Sequence, residues 1–185
     1  MVTEVIPLES FLLSNDFSTL IEKLDNLREA VKKKGWWTPY LPKNDGGMGL
    51  SLTQFAEISE ILGTSPLGHY VFNCQAPDIG NIELLRGHGS PDQKSTFLEP
   101  LVGGNIRSCF AMTEPGKPGS NPTWMETTAI LDGNEYIING RKWFTSAADG
   151  ASYCIVMAVT DSKSKDKYAR ASMFIVTSDN PGYEI

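Results

Sequence analysis

The sequence predicts an α+β chain: an N-terminal all-α helical domain over residues 1–105, then an antiparallel, β-barrel-like domain over residues 106–185 that is truncated. Three observations predict it. Apolar residues recur at three- and four-residue spacing through the first half of the chain, the signature of helices with one buried stripe. After about Asn105 the period shortens to alternation, which is that of strands. Between the two lies Gly103-Gly104-Asn105, a cluster that ends a helical pattern.

From Phe17 to Lys34, the residues Phe17, Leu20, Ile21, Leu24, Leu27 and Val31 fall on one helical stripe, with Ser14 to Asp16 as the cap and Gly35 as the stop. A Pro/Gly-rich connection from Trp36 to Leu50 precedes a second helix at about Leu52 to Leu62, where Phe55, Ile58, Ile61 and Leu62 line up. Further helices are expected over Pro77 to Arg86 and Pro91 to Val102. The Gly46-Gly47-Met48-Gly49 run follows no strand and lacks the third-glycine spacing of a nucleotide loop, so it reads as structural. In the second half, Ser108 to Thr113, Thr127 to Leu131 and Glu135 to Ile138 read as three strands of an antiparallel meander, with Asp132-Gly133-Asn134 as a hairpin turn. Asn139-Gly140 reads as another two-residue turn with positive φ at both positions, and Arg141 to Ser146 as a continuing strand. Two more strands, Tyr153 to Thr160 and Ala171 to Val176, flank a lysine-rich polar loop.

Composition narrows the function classes. Of the 185 residues, 41% are hydrophobic and 21% charged, an ordinary globular balance, and the formal net charge is −6. An acidic chain is a poor ligand for nucleic acid or for an anionic membrane, both of which need excess Lys and Arg. The longest apolar run, Tyr153 to Val159, is too short to span a bilayer. No signal or transit pattern opens the chain, so a reducing intracellular compartment, the cytoplasm or the mitochondrial matrix, is expected. Cys74, Cys109 and Cys154 are widely spaced and show no metal-ligand pattern; they read as small apolar fillers. His69 and His88 have no carboxylate or cysteine at ligand spacing, and no metal site is assigned.

The tract Cys109-Phe110-Ala111-Met112-Thr113-Glu114-Pro115-Gly116-Lys117-Pro118-Gly119-Ser120 opens a strand into a glycine- and hydroxyl-rich turn. Main-chain amides in such a turn are free to face an anion, glycines allow close approach, and hydroxyls add donors. By composition alone it is also an ordinary loop. The downstream tract Gly133-Asn134-Glu135-Tyr136-Ile137-Ile138-Asn139-Gly140-Arg141-Lys142-Trp143-Phe144-Thr145-Ser146 places two rings and two hydroxyls close together. On a strand, Phe144 and Ser146 share one face and Trp143 and Thr145 the other. Either pair suits a flat heteroaromatic ring with a hydrogen-bonding edge, or simply packs a β core.

Together the two tracts resemble the acyl-CoA dehydrogenase family, whose members carry a Thr-Glu-Pro turn and, about 25 to 30 residues on, an Asn-Gly-x-Lys-x-aromatic-x-hydroxyl segment. The resemblance extends over essentially the whole chain. It implies FAD as cofactor, bound through the main chain at Phe110, Ala111, Met112 and Thr113 and through Phe144, Thr145 and Ser146. Most members carry Trp and Thr two and four residues after the lysine, where this chain has Phe144 and Ser146, with Trp143 and Thr145 each one position earlier. Ser120 is implied to touch the thioester side of the substrate, in a loop one residue longer than the usual form. Lys117 reads as a solvated surface lysine, with pairing to a coenzyme A phosphate as the alternative, and Glu114 as structural.

The resemblance further implies α,β-dehydrogenation of an acyl-CoA, with electron-transfer flavoprotein or another acceptor as partner, a homo-oligomeric full-length form and a place in fatty acid metabolism. The family's catalytic carboxylate belongs to a C-terminal helical domain beyond Ile185, so no catalytic residue is assigned. The chain alone is expected to be an inactive fragment with weak or absent FAD retention. Two alternatives stand beside this: a non-enzymatic interaction module that keeps the fold, and a flavin oxidase or monooxygenase of the same fold.

Overall fold

The computed structural model describes residues 1–119 and 121–185. The chain divides into two compact units, residues 1–79 and 80–185.

The first unit holds α1 (Glu9–Leu13), α2 (Phe17–Lys33), α3 (Leu52–Leu62) and α4 (Gly68–Val71). Helix α2 begins where Asp16 accepts a hydrogen bond from the Thr19 amide at 3.3 Å, the N-cap arrangement that satisfies an otherwise orphaned amide. Its residues Leu20, Leu24 and Val31 pack with Trp37, Leu67 and Val71 into one core. Phe17 and Ile21, expected on the same stripe, are 50% and 56% exposed. The buried stripe is centred on Leu24 and Val31 and includes position 28, where Arg28 is 4% exposed. Its guanidinium lies 4.8 Å from the Trp37 ring and 4.3 Å from the Tyr70 ring and donates to the Tyr70 carbonyl at 2.6 Å. Helix α3 opens with a capping box between Ser51 and Gln54.

Helix α5 (Asp78–His88) runs into the second unit, where α6 (Pro91–Gln93), a π-turn (Lys94–Leu98) and α7 (Glu99–Val102) follow without a break. One helix was expected there. Pro100 has no N–H to continue an α ladder, and the Glu99 amide donates instead to Lys94.

The sheet contains β1 (Ser108–Ala111), β2 (Thr128–Asp132), β3 (Glu135–Asn139), β4 (Tyr153–Val159) and β5 (Ala171–Thr177). The order of helices first and sheet second is as predicted, and the sheet is open and mixed. The order is β1-β4-β2-β3, with β5 also on β4. Hairpin β2–β3 is antiparallel, as is β4–β5, whereas β1 and β2 both run parallel to β4. The expected three-strand meander therefore does not form: β1 pairs with β4, Ser108 opposite Tyr153. Its physical reason is that Tyr153 to Val156 is buried throughout, and a strand covered on both faces takes the middle of a sheet, as parallel strands do.

The hairpin turn at Gly133 is as read, with φ of 62°. Neither Asn139 nor Gly140 is among the residues with positive φ, and Arg141 to Ser146 is not a strand. The chain leaves β3 toward the end of β1 rather than reversing into a third pairing. One face of the sheet closes around Cys109, Ala111, Cys154 and Val156. On the other, Tyr153 stacks 5.0 Å from Phe97, and Asn81 of α5 donates to Ser108 Oγ at 2.9 Å and the Cys109 carbonyl at 3.1 Å. Among the described residues, no helix is long and apolar enough to cross a membrane.

Candidate functional site

Strand β1 ends at Ala111, and the chain turns through Met112, Thr113 and Glu114. Glu114 is 5% exposed. Its carboxylate accepts from the amides of Glu126 at 2.6 Å and Thr127 at 2.8 Å and from Lys142 Nζ at 2.9 Å. Burial pushes this carboxyl up, but the hydrogen bonds from Thr127, Lys142 and Glu126 outweigh it and hold the group at about 2. A carboxylate so held at neutral pH is an anchor and not a base, which agrees with its structural reading.

Lys142 is the counterpart. Besides Glu114, its ammonium donates to the Met112 carbonyl at 2.9 Å and lies 3.6 Å from Met125 Sδ. The next residue, Trp143, donates its amide to the Thr113 carbonyl at 3.0 Å. Residues 112–113 and 142–143 are thus laced together by one side chain and one main-chain bond. Gly140 makes the approach possible: a Cβ there would lie 2.2 Å from Thr127 Oγ1. Gly119 likewise folds the turn back on Thr113, whose Cγ2 would be 2.8 Å from an added Cβ.

The structure brings Met112 and Thr113 of the first predicted set against the segment that carries the second, Phe144, Thr145 and Ser146. Phe144 has φ of 52°, uncommon for a bulky residue, and its ring is 81% exposed and 4.7 Å from that of Trp143. Thr145 is half-buried and Ser146 exposed. Because this segment is not a strand, the alternation that paired Phe144 with Ser146 and Trp143 with Thr145 does not govern it. Phe110 is half-buried within β1, and the Ala111 methyl is in the core, which leaves that residue's main chain. Ser120 lies outside the described residues. Lys117 is ion-paired with Glu126 across the turn.

A shallow cleft beside this turn is lined by Met112, Thr113, Lys117, Asn121, Trp124 and Met125. A second, of about 120 Å³, lies between α5 and the β4–β5 face, lined by Leu84, Leu85, His88, Gln93, Ile155 and Met173. The three cysteines are buried and form no disulfide. Burial pushes the Cys74 thiol up to about 12, and a hydrogen bond with Cys109, then burial, raises that of Cys154, so neither of these two is a ready nucleophile. Sequence reasoning missed the Lys142 contacts and the Gly140–Thr127 approach. Lys142 was a landmark in the motif, and its fixed place two residues after Gly140 was the available signal.

Two family models match: the acyl-CoA dehydrogenase N-terminal domain over residues 18–105 and the acyl-CoA dehydrogenase middle domain over residues 109–185. Acyl-CoA dehydrogenase family member 11 of Gallus gallus is 42% identical over 164 residues, 88% of this chain and 21% of the relative. The probable acyl-CoA dehydrogenase FadE2 of Mycobacterium tuberculosis is 36% identical over 88% of this chain and 40% of its own length. A solved structure assigned as an acyl-CoA dehydrogenase of Mycobacterium abscessus superposes with a TM-score of 0.88 at 38% identity, covering 97% of this chain and 48% of that one. A glutaryl-CoA dehydrogenase of Mycobacterium smegmatis, solved in complex with FADH2, has a TM-score of 0.65 at 26% identity, over 86% of this chain and 39% of its own. The chain spans about a fifth of the length of the family member 11 relatives. With both domain models matched in order and a close structural counterpart over nearly all its length, the chain belongs to the acyl-CoA dehydrogenase family.

Proposed function

We propose that this chain is the flavin-facing part of an FAD-dependent acyl-CoA dehydrogenase-like oxidoreductase, with residues 1–105 as its helical domain and 106–185 as its β-domain. One observation carries the reading: the Trp143 amide donates to the Thr113 carbonyl, so the two motif segments meet at one place. The donor set suits an isoalloxazine. Two exposed rings, tilted 40° to one another, offer apolar faces for a flat ring to lie against, and Thr113, Thr145 and Ser146 supply hydroxyls for a hydrogen-bonding edge. When bound, FAD would accept the hydride from the acyl β-carbon. In this reading the main chain from Phe110 to Thr113 together with Phe144, Thr145 and Ser146 would hold the ring, the hydroxyls supplying hydrogen bonds. Ser120 would face the thioester, electron-transfer flavoprotein would accept the electrons, and the working form would be a homo-oligomer in the cytoplasm or mitochondrial matrix.

The test is a titration of the purified chain with FAD, read through tryptophan emission and induced flavin circular dichroism. Weak, saturable binding that Phe144→Ala abolishes is expected. No saturable signal, or an unchanged one in Phe144→Ala, would count against the flavin reading.

The exposed Ile130, Leu131, Tyr136 and Ile137 of the β2–β3 hairpin favour a second reading, a non-enzymatic module that docks through this apolar surface. Concentration-dependent association without flavin binding would mark it.

A further inference from the structure

We propose that Lys142 is a positioning residue, which holds the turn after β1 and the ring-bearing segment in the one relative placement that a flat ligand needs. The inference deepens the flavin reading, and only its ligand arm rests on it.

One ammonium carries three donors. Nζ reaches the Met112 carbonyl, the Glu114 carboxylate and Met125 Sδ, so three successive parts of the turn converge on one atom. A lysine ammonium has three protons to give, and a buried one is costly unless it gives them. The residue that follows uses its main chain in the same direction, Trp143 N–H to Thr113 O. The segment then continues into Phe144 at φ of 52° with its ring outward, a conformation that persists only when its surroundings hold it. Upstream, the approach is closed by Gly140 against Thr127. Each contact restricts segment 140–144 against the turn, and Lys142 contributes the side-chain part of that restraint. It is assigned no ligand contact of its own; it acts through Met112, whose main-chain carbonyl it holds, and through Thr113 and Phe144.

Lys142→Met keeps the length of the stem and removes the donors. Amide exchange measured residue by residue on the 185-residue chain should then show the Trp143 amide exchanging roughly tenfold faster or more, with the amides of Ile155 and Val156 in β4 unchanged. In the flavin titration the same variant should bind roughly tenfold more weakly and lose the resolved shape of the visible flavin band. The double variant Lys142→Met/Glu114→Gln leaves no unpaired buried charge and keeps a carbonyl acceptor for one of the two amides that Glu114 receives. It secures a folded sample, and fast Trp143 exchange is expected in it too. Wild-type exchange at Trp143 in either folded variant would overturn the inference, as would unchanged flavin affinity where the wild type binds. A wild-type chain that binds no flavin would instead count against the flavin reading, and the exchange measurement would still decide the role of Lys142.

Discussion

The two ends of the β2–β3 hairpin are built on opposite principles. At its base, Thr127 and Gly140 are in near-contact, and the adjoining Glu114 and Lys142 have every charge answered by a hydrogen bond. At its tip, Ile130 and Ile137 face each other across the ladder and are exposed, as are Leu131 and Tyr136. The base is specified by polar partners and by lack of space, the tip by strand propensity and a turn. The difference teaches where the chain tolerates change: the base should be intolerant of substitution, the tip less affected in stability and sensitive in association.

The largest effect that separates them is acid. The Glu114 carboxyl is depressed to about 2 from an ordinary 4.5, so its contribution is complete above the unfolded value and disappears as pH falls from about 4.5 toward about 2. The groups facing it are Lys142 and the Glu126 and Thr127 amides. The lost stability is on the order of 3 kcal/mol, read as a falling urea midpoint across that window. Glu114→Gln should flatten the fall, and an unaltered pH profile in that variant would break the comparison at its strongest point.

Gly140→Ala comes next. A methyl placed 2.2 Å from Thr127 Oγ1 forces the backbone to shift, at about 2 kcal/mol, measurable by thermal unfolding. At the tip the effects shrink. Tyr136 meets Phe174 of β5 edge-on at 5.0 Å, and Tyr136→Ala should cost about 1 kcal/mol through the lost ring pair. Ile137→Thr should change stability by less than about 0.5 kcal/mol, while light scattering at high concentration should fall as exposed apolar area is removed. A large loss of stability in Ile137→Thr would show that the tip is built like the base after all.

Much of the secondary structure was legible because its signals are local. Asp16 before Phe17, Ser51 with Gln54 three residues on, and Gly133 between alternating segments each act within a few positions. Strand pairing is not local, and the antiparallel meander failed because β1 takes a partner from far downstream. The uninterrupted apolar run of β4 was the clue to a strand covered on both faces. The stripe of α2 was read as purely apolar, whereas Arg28 occupies its centre, since two aromatic rings and a carbonyl from distant positions receive its charge. At the candidate site, spacing located the two segments, but the side chain that joins them emerges only in three dimensions: Lys142 has no local partner, and Met112 and Glu114 are far back in the chain.

The parallel pairing of Ser108 with Tyr153 also dictates an order of events during synthesis. Hairpin β2–β3 can zip as soon as it leaves the ribosome, because its partners are adjacent, whereas Ser108–Ala111 emerges first and has nothing to bond until β4 is made. Parallel pairing across that interval is slow relative to a hairpin. The nascent chain thus carries an unmated strand past the exit tunnel for the whole translation of the hairpin, and chaperone capture there should end once Val156 is clear.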